Sequence, residues 1–211
     1  MRQAILRFGV VIGLSMMLVM ACARTEPARF YLLYPLAGLE SEFAPLAARP
    51  SIDVGTAAIG IDTIKLAAYL DRPEIATRQG LYRVQFAEFD RWAEPLADNI
   101  ARVLAENLAV VLRSQAIHLF PWAPGARLQY RLSVDVVRFD SEPGEGALLR
   151  VHWTLRDEHE RKIVISRQAD YREPLVEGSY ESIAAVNSRL LAHLSDDIAA
   201  AIARLSSRIE E

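Results

Sequence analysis

The chain opens on two positive charges, Arg2 and Arg7, and then runs apolar from Phe8 to Met20, broken by Gly9, Gly13 and Ser15. Thirteen helical residues rise about 20 Å, well short of the roughly 30 Å hydrocarbon core of a bilayer. The pattern is that of a secretory signal rather than a spanning helix, and no later stretch is apolar for long enough to span. Phe30–Pro35 (FYLLYP) reads as a first strand and Gly38–Pro50 as a loop. Ser51–Ile61 is β-like, with Gly55 and Gly60 marking a bulge or an edge. Thr63–Tyr69 and Leu81–Phe86 are short strand candidates, separated by a polar segment, RPEIATRQG.

Over Arg91–Ser114 the period changes. Trp92, Leu96, Ile100, Leu104, Leu108 and Val111 recur every three or four residues, which predicts an amphipathic helix with Pro95 in its first turn. Ile117–Phe120 is a short apolar strand. In Tyr130–Val136 and Leu149–Leu155 apolar residues alternate with Arg, Ser, Asp, His and Thr, and Lys162–Ala169 follows a charged turn. These three predict an antiparallel meander with one partly solvated face. After Gly178-Ser179, the residues Tyr180, Ile183, Val186, Leu190, Leu194, Ile198, Ile202 and Leu205 form the stripe of a last helix flanked by alanines. The expected fold class is α/β: a single domain with a mixed β-sheet and two long amphipathic helices packed on it.

Composition narrows the function. Of 211 residues, 52% are hydrophobic and 24% charged, which suits a packed core and excludes a disordered chain. The net charge is −3, and becomes −5 once Arg2 and Arg7 are removed with the signal, leaving 22 basic against 27 acidic residues. A mildly acidic body lacks the clustered positive charge that phosphate backbones require, so nucleic acid is not an expected partner. Four histidines, at 118, 152, 159 and 193, show no metal-site spacing, and no nucleophile elbow, phosphate loop or dinucleotide glycine pattern occurs. No cofactor, metal or catalytic residue is expected.

The sole cysteine, Cys22, follows Val19-Met20-Ala21 at the end of the apolar run. One cysteine in an exported chain cannot close an internal disulfide. The arrangement resembles a bacterial lipobox, with Met20 in place of the usual small residue at −2. The resemblance implies cleavage before Cys22, diacylglyceryl modification of its thiol, and, with Ala23 rather than Asp at +2, sorting to the outer membrane. The alternative is an ordinary signal with an incidental cysteine. On this reading residues 1–21 are the signal, residues 22–28 the lipidated cysteine and tether, and residues 29–211 the periplasmic domain.

Two segments carry unusual chemistry. Tyr69, Leu70, Asp71, Arg72, Pro73 and Arg78 bring arginines, acids, a proline and apolar groups into what reads as a loop, and Trp92 stands at a predicted helix start among charges. Either they face a partner, or Arg72 and Arg78 bridge internally to Asp71 or Asp90 and Trp92 is core.

With FYLLYP, these segments (YLDRPEIATR and RWAEPLADNIARVLAENLAVVL), the W-T-L strand and the alanine-rich last helix resemble the PqiC-like auxiliary lipoproteins of ABC-type transport systems. That resemblance implies a lipid-anchored domain at the periplasmic face of the outer membrane. Its implied partners are an MCE-type periplasmic protein and an inner-membrane transport component, with homo-oligomerisation open, and it would serve intermembrane lipid transport without catalysis. A structural envelope lipoprotein with a non-transporter partner is the other class to test.

Overall fold

A computed structural model describes residues 26–35, 57–123 and 125–206. Its spine is a 13-residue strand, Tyr130–Glu142, which becomes β7 in chain order. Tyr130, Leu132, Val134 and Val136 point into the core, as their alternation with polar residues requires. A register shift between Val136 and Arg138 then places Phe139, Asp140 and Ser141 all in buried positions.

Along one edge, β7 pairs over its whole length with β8 (Gly146–Asp157), which in turn pairs with β9 (Lys162–Glu173). This is the predicted meander, longer than its apolar alternation. Along the other edge three strands follow one another: β2 (Ile59–Ile61), β3 (Lys65–Leu66) and β4 (Glu74–Gln79), all parallel to β7. β6 (Ile117–Leu119) lies parallel on β2. β5 (Arg83–Trp92) runs antiparallel to β4, and β1 (Arg29–Tyr31) lies parallel on β5. Among the described residues the sheet is mixed and nine-stranded.

Helix α1 (Leu96–Val111) and helix α2 (Tyr180–Ser206) pack on one face of the sheet and on each other. The predicted stripes are the buried ones: Leu96, Ile100, Leu104, Leu108 and Val111 from α1, with Ile183, Val186, Leu190, Leu194, Ile198 and Ile202 from α2. Ala184, Ala192, Ala199 and Ala201 are buried as well, so the alanine flank lets α2 approach its neighbours closely. Buried polar groups register these elements. Asn107 donates to Ser195 Oγ across the helix pair at 3.2 Å, and Asn99 Oδ1 accepts the Leu33 N–H at 2.8 Å.

Four expectations change. The polar RPEIATRQG stretch is largely strand β4 rather than loop: Ile75, Ala76 and Thr77 are buried and the strand is bonded on both sides. Trp92 closes β5 instead of opening α1, because β5 is held by β4 as far as Arg91 and by β1 as far as Trp92, and Pro95 then immediately precedes the helix. Gly60 sits between β6 and β7, not at an edge; a Cβ there would meet Leu128 Cδ1 first and lie 2.9 Å from Trp122 Cε2, so both covering side chains would have to shift for any larger residue. The first strand ends at Tyr31, after which the chain leaves the sheet to bond Asn99 and Ser188. The signal, Cys22, the loop at 38–50 and the start of the Ser51–Ile61 strand lie outside the described residues.

Candidate functional site

The segment Tyr69–Arg78 has an inner and an outer side, and β4 separates them. On the inner side Asp140, 2% exposed, gathers three donors. The Tyr69 hydroxyl donates to Oδ2 at 2.6 Å, Arg78 grips both oxygens at 3.0 Å through Nε and Nη2, and Arg138 Nη2 donates to Oδ1 at 2.7 Å. Burial alone would raise the Asp140 pKa. The bonds from Arg78, Arg138 and Tyr69 outweigh it and hold the carboxyl below the usual carboxylate range. Burial, reinforced by the hydrogen bond to Asp140, pushes the Tyr69 hydroxyl up to about 12.

Leu70 and Trp92 are core residues, 3% and 5% exposed. The Trp92 N–H donates to the Pro73 carbonyl at 2.8 Å, fastening the segment to the end of β5. Arg78 therefore bridges to neither Asp71 nor Asp90. Asp90 instead takes Arg29 through two bonds of 2.7 and 2.9 Å and the Tyr31 hydroxyl at 2.8 Å. Arg29, more than burial or Tyr31, sets the Asp90 shift, and the net direction is down.

Asp71, Arg72 and Pro73 face outward and are exposed. The Arg72 guanidinium lies 3.8 Å above the ring of Phe86 on β5, and its Nε is 3.6 Å from Glu74. Phe86 is itself 37% exposed. A cation stacked on an accessible ring, flanked by carboxylates, can recognise another surface by charge and by stacking. It has no nucleophile paired with a base.

Two of the histidines are held by neighbouring side chains. His152 bonds Gln168 at 2.8 Å and His193 bonds Glu173 at 2.7 Å. Among the described residues no three His, Cys, Asp or Glu side chains gather as a metal site, and no helix is long and apolar enough to cross a membrane. An open depression of about 620 Å³ lies beside the Asp140 cluster, lined by Arg78, Leu81, Arg138, Glu142 and Pro174 among others.

Sequence reasoning thus singled out Tyr69 and Arg78 but missed the acid that joins them. Asp140 is hidden because the alternation of β7 shifts phase just before it, and its partners lie 71 and 62 residues away. Phe86 had a local signal as an aromatic within a strand candidate, but nothing local to place Arg72 over it.

The fold has solved counterparts. Protein XCC0632 from Xanthomonas campestris matches with a TM-score of 0.69 at 18% identity, over 87% of this chain and 98% of its own. The crystal structure of an uncharacterized protein matches with a TM-score of 0.66 at 17% identity, over 84% and 99%. Among curated proteins no sequence relative matches. Residues 41–199 match the family model described as the ABC-type transport auxiliary lipoprotein component.

Proposed function

The chain belongs to the ABC-type transport auxiliary lipoprotein family, and from that membership we propose that it is a non-enzymatic accessory anchored at the periplasmic face of the outer membrane. The observation that carries the reading is the match over residues 41–199, most of the chain. Upstream of it stands the sole cysteine, Cys22, at the end of a short apolar run. In this reading residues 1–21 are removed, Cys22 carries a thioether-linked diacylglyceryl group, residues 22–28 form the tether, and the domain from residue 29 works in the periplasm. One acyl chain holds a protein only reversibly, at roughly 0.8 kcal/mol per buried methylene, so two or more chains on Cys22 make the attachment lasting.

The partner is an MCE-type periplasmic protein coupled to an inner-membrane transport component, in the service of lipid movement between the membranes. Asp71, Arg72 and Pro73, together with Phe86, present the contact surface. Tyr69, Leu70, Arg78 and Trp92 support it from within. The division of labour follows burial: the first group is accessible, while the second is locked to Asp140 or packed in the core.

Two substitutions test this. Cys22→Ser is expected to leave an uncleaved precursor without lipid label; unchanged labelling would refute the anchor. Arg72→Glu is expected to lose partner capture while the melting temperature moves by no more than about 4 °C, because an exposed pair contributes roughly 0–1 kcal/mol. An arginine at the centre of an interface, by contrast, is among the residues most often dominant in binding. A large stability loss with capture retained would make the segment structural and remove it from the interface.

A further inference from the structure

The β4–β5 hairpin turns through Gly80, Leu81 and Tyr82, with Gly80 at φ +70°, a left-handed conformation that favours glycine. Leu81 is 81% exposed and Tyr82 97%. At the same end of the sheet, Pro174 shares the depression lined by Leu81, and Val176 two residues later is 92% exposed. Scattered apolar residues on a surface are ordinary. Two in succession at a hairpin tip, with a third at the same end, are an apolar prow that nothing among the described residues covers.

The direction and length of the N-terminal chain say what that prow meets. β1 runs parallel to β5, with Arg29 opposite Asp90. Residues preceding Arg29 therefore approach from the side of the sheet where β5 begins, which is the side of the hairpin tip. From Asp90 back to Tyr82 is eight residues, about 27 Å of strand. From Arg29 back to Cys22 is seven residues, with a reach of at most about 25 Å. A tether extended alongside β5 thus ends nearly level with Leu81 and Tyr82.

We propose that the hairpin tip, Leu81 and Tyr82, is a second membrane contact that enters the headgroup boundary beside the acylated Cys22 and fixes which end of the domain faces the lipid. The inference rests on the reading of Cys22 as the lipid anchor. The residue types suit the depth: Leu81 is apolar, Tyr82 has an amphipathic ring of the kind enriched at membrane interfaces, and Arg83 next to them supplies a cation at headgroup level. Arg72 and Phe86 then remain accessible, since Phe86 lies four residues up β5 from Tyr82, about 13 Å clear of the tip.

Acylation of Cys22 leaves the full-length protein with no free thiol, so Tyr82→Cys introduces a single labelling site. That variant, carrying an environment-sensitive nitrobenzoxadiazole probe, is reconstituted in phosphatidylethanolamine–phosphatidylglycerol vesicles containing lipids spin-labelled near the headgroup. Glu160→Cys, in the turn between β8 and β9 at the opposite end of the sheet, carries the same probe as control. Quenching severalfold stronger at position 82 than at position 160 is expected. Equal quenching, or a probe at 82 that is shielded but unquenched because protein covers it, overturns the contact. Labelling of the unsubstituted chain, at Cys22 itself, would instead overturn the anchor on which the inference stands.

Discussion

Replacing Asp140 by Asn removes one charge from the best-connected polar cluster while keeping nearly the same shape. The carboxylate is 2% exposed and binds the Tyr69 hydroxyl and the Arg78 and Arg138 guanidiniums at 2.6 to 3.0 Å. Removing one partner of a buried ion pair costs about 3–5 kcal/mol. The lower end applies here: the Arg138 side chain is 30% exposed and can regain water, whereas Arg78, at 15%, regains less. A loss of about 3 kcal/mol corresponds to a fall of about 6–12 °C in melting temperature for a domain of this size. Thermal unfolding followed by circular dichroism measures it, and pH supplies the control. Because the folded-state pKa of Asp140 is depressed, its contribution is complete above the unfolded carboxylate value of about 3.9 and is lost as pH falls through the folded value. The gap between the two proteins should therefore be constant near neutrality and close in acid. A gap below about 1 kcal/mol at pH 7, or one that persists unchanged in acid, would refute the claim that this charge holds Tyr69 and Arg78 in place.

Tyr69→Phe should cost about 1.5–3 kcal/mol at neutral pH, the worth of a hydrogen bond to a charged group. Because the Tyr69 hydroxyl is pushed up to about 12 in the fold, its contribution is complete below the unfolded value of about 10 and lost as pH rises between the two. The difference between wild type and variant, read by denaturant unfolding, should shrink across that window. Gly60→Ala should destabilise by about 1–3 kcal/mol through overpacking against Leu128 and Trp122, the latter held under Arg131 and against Phe120; an unchanged unfolding midpoint would show that both side chains yield.

The readable parts of this fold are those specified by nearest neighbours. The stripes of α1 and α2 repeat at helical spacing, and Tyr130–Val136 of β7 and Leu149–Leu155 of β8 alternate cleanly, so class, helix count and meander follow from the sequence. β4 did not, because its charged residues find their partner on a strand far along the chain: Arg78 reads as loop until Asp140 is known. Trp92 misled for a related reason. Its spacing fits the stripe of α1, yet parallel pairing with Tyr31 of β1 claims it for the sheet. The candidate interface was legible as an unusual cluster but not as a two-sided one. Which arginine is internal and which faces solvent depends on the phase shift in β7 and on Phe86 lying under Arg72.

Crosslinking in living cells tests the central claim most directly. A photoreactive residue placed at Asp71, beside Arg72 and exposed to solvent, should capture an MCE-type periplasmic protein in membrane fractions, and Arg72→Glu in the same chain should abolish that product. Capture that involves only envelope proteins unconnected to transport, and that survives Arg72→Glu, would contradict the account.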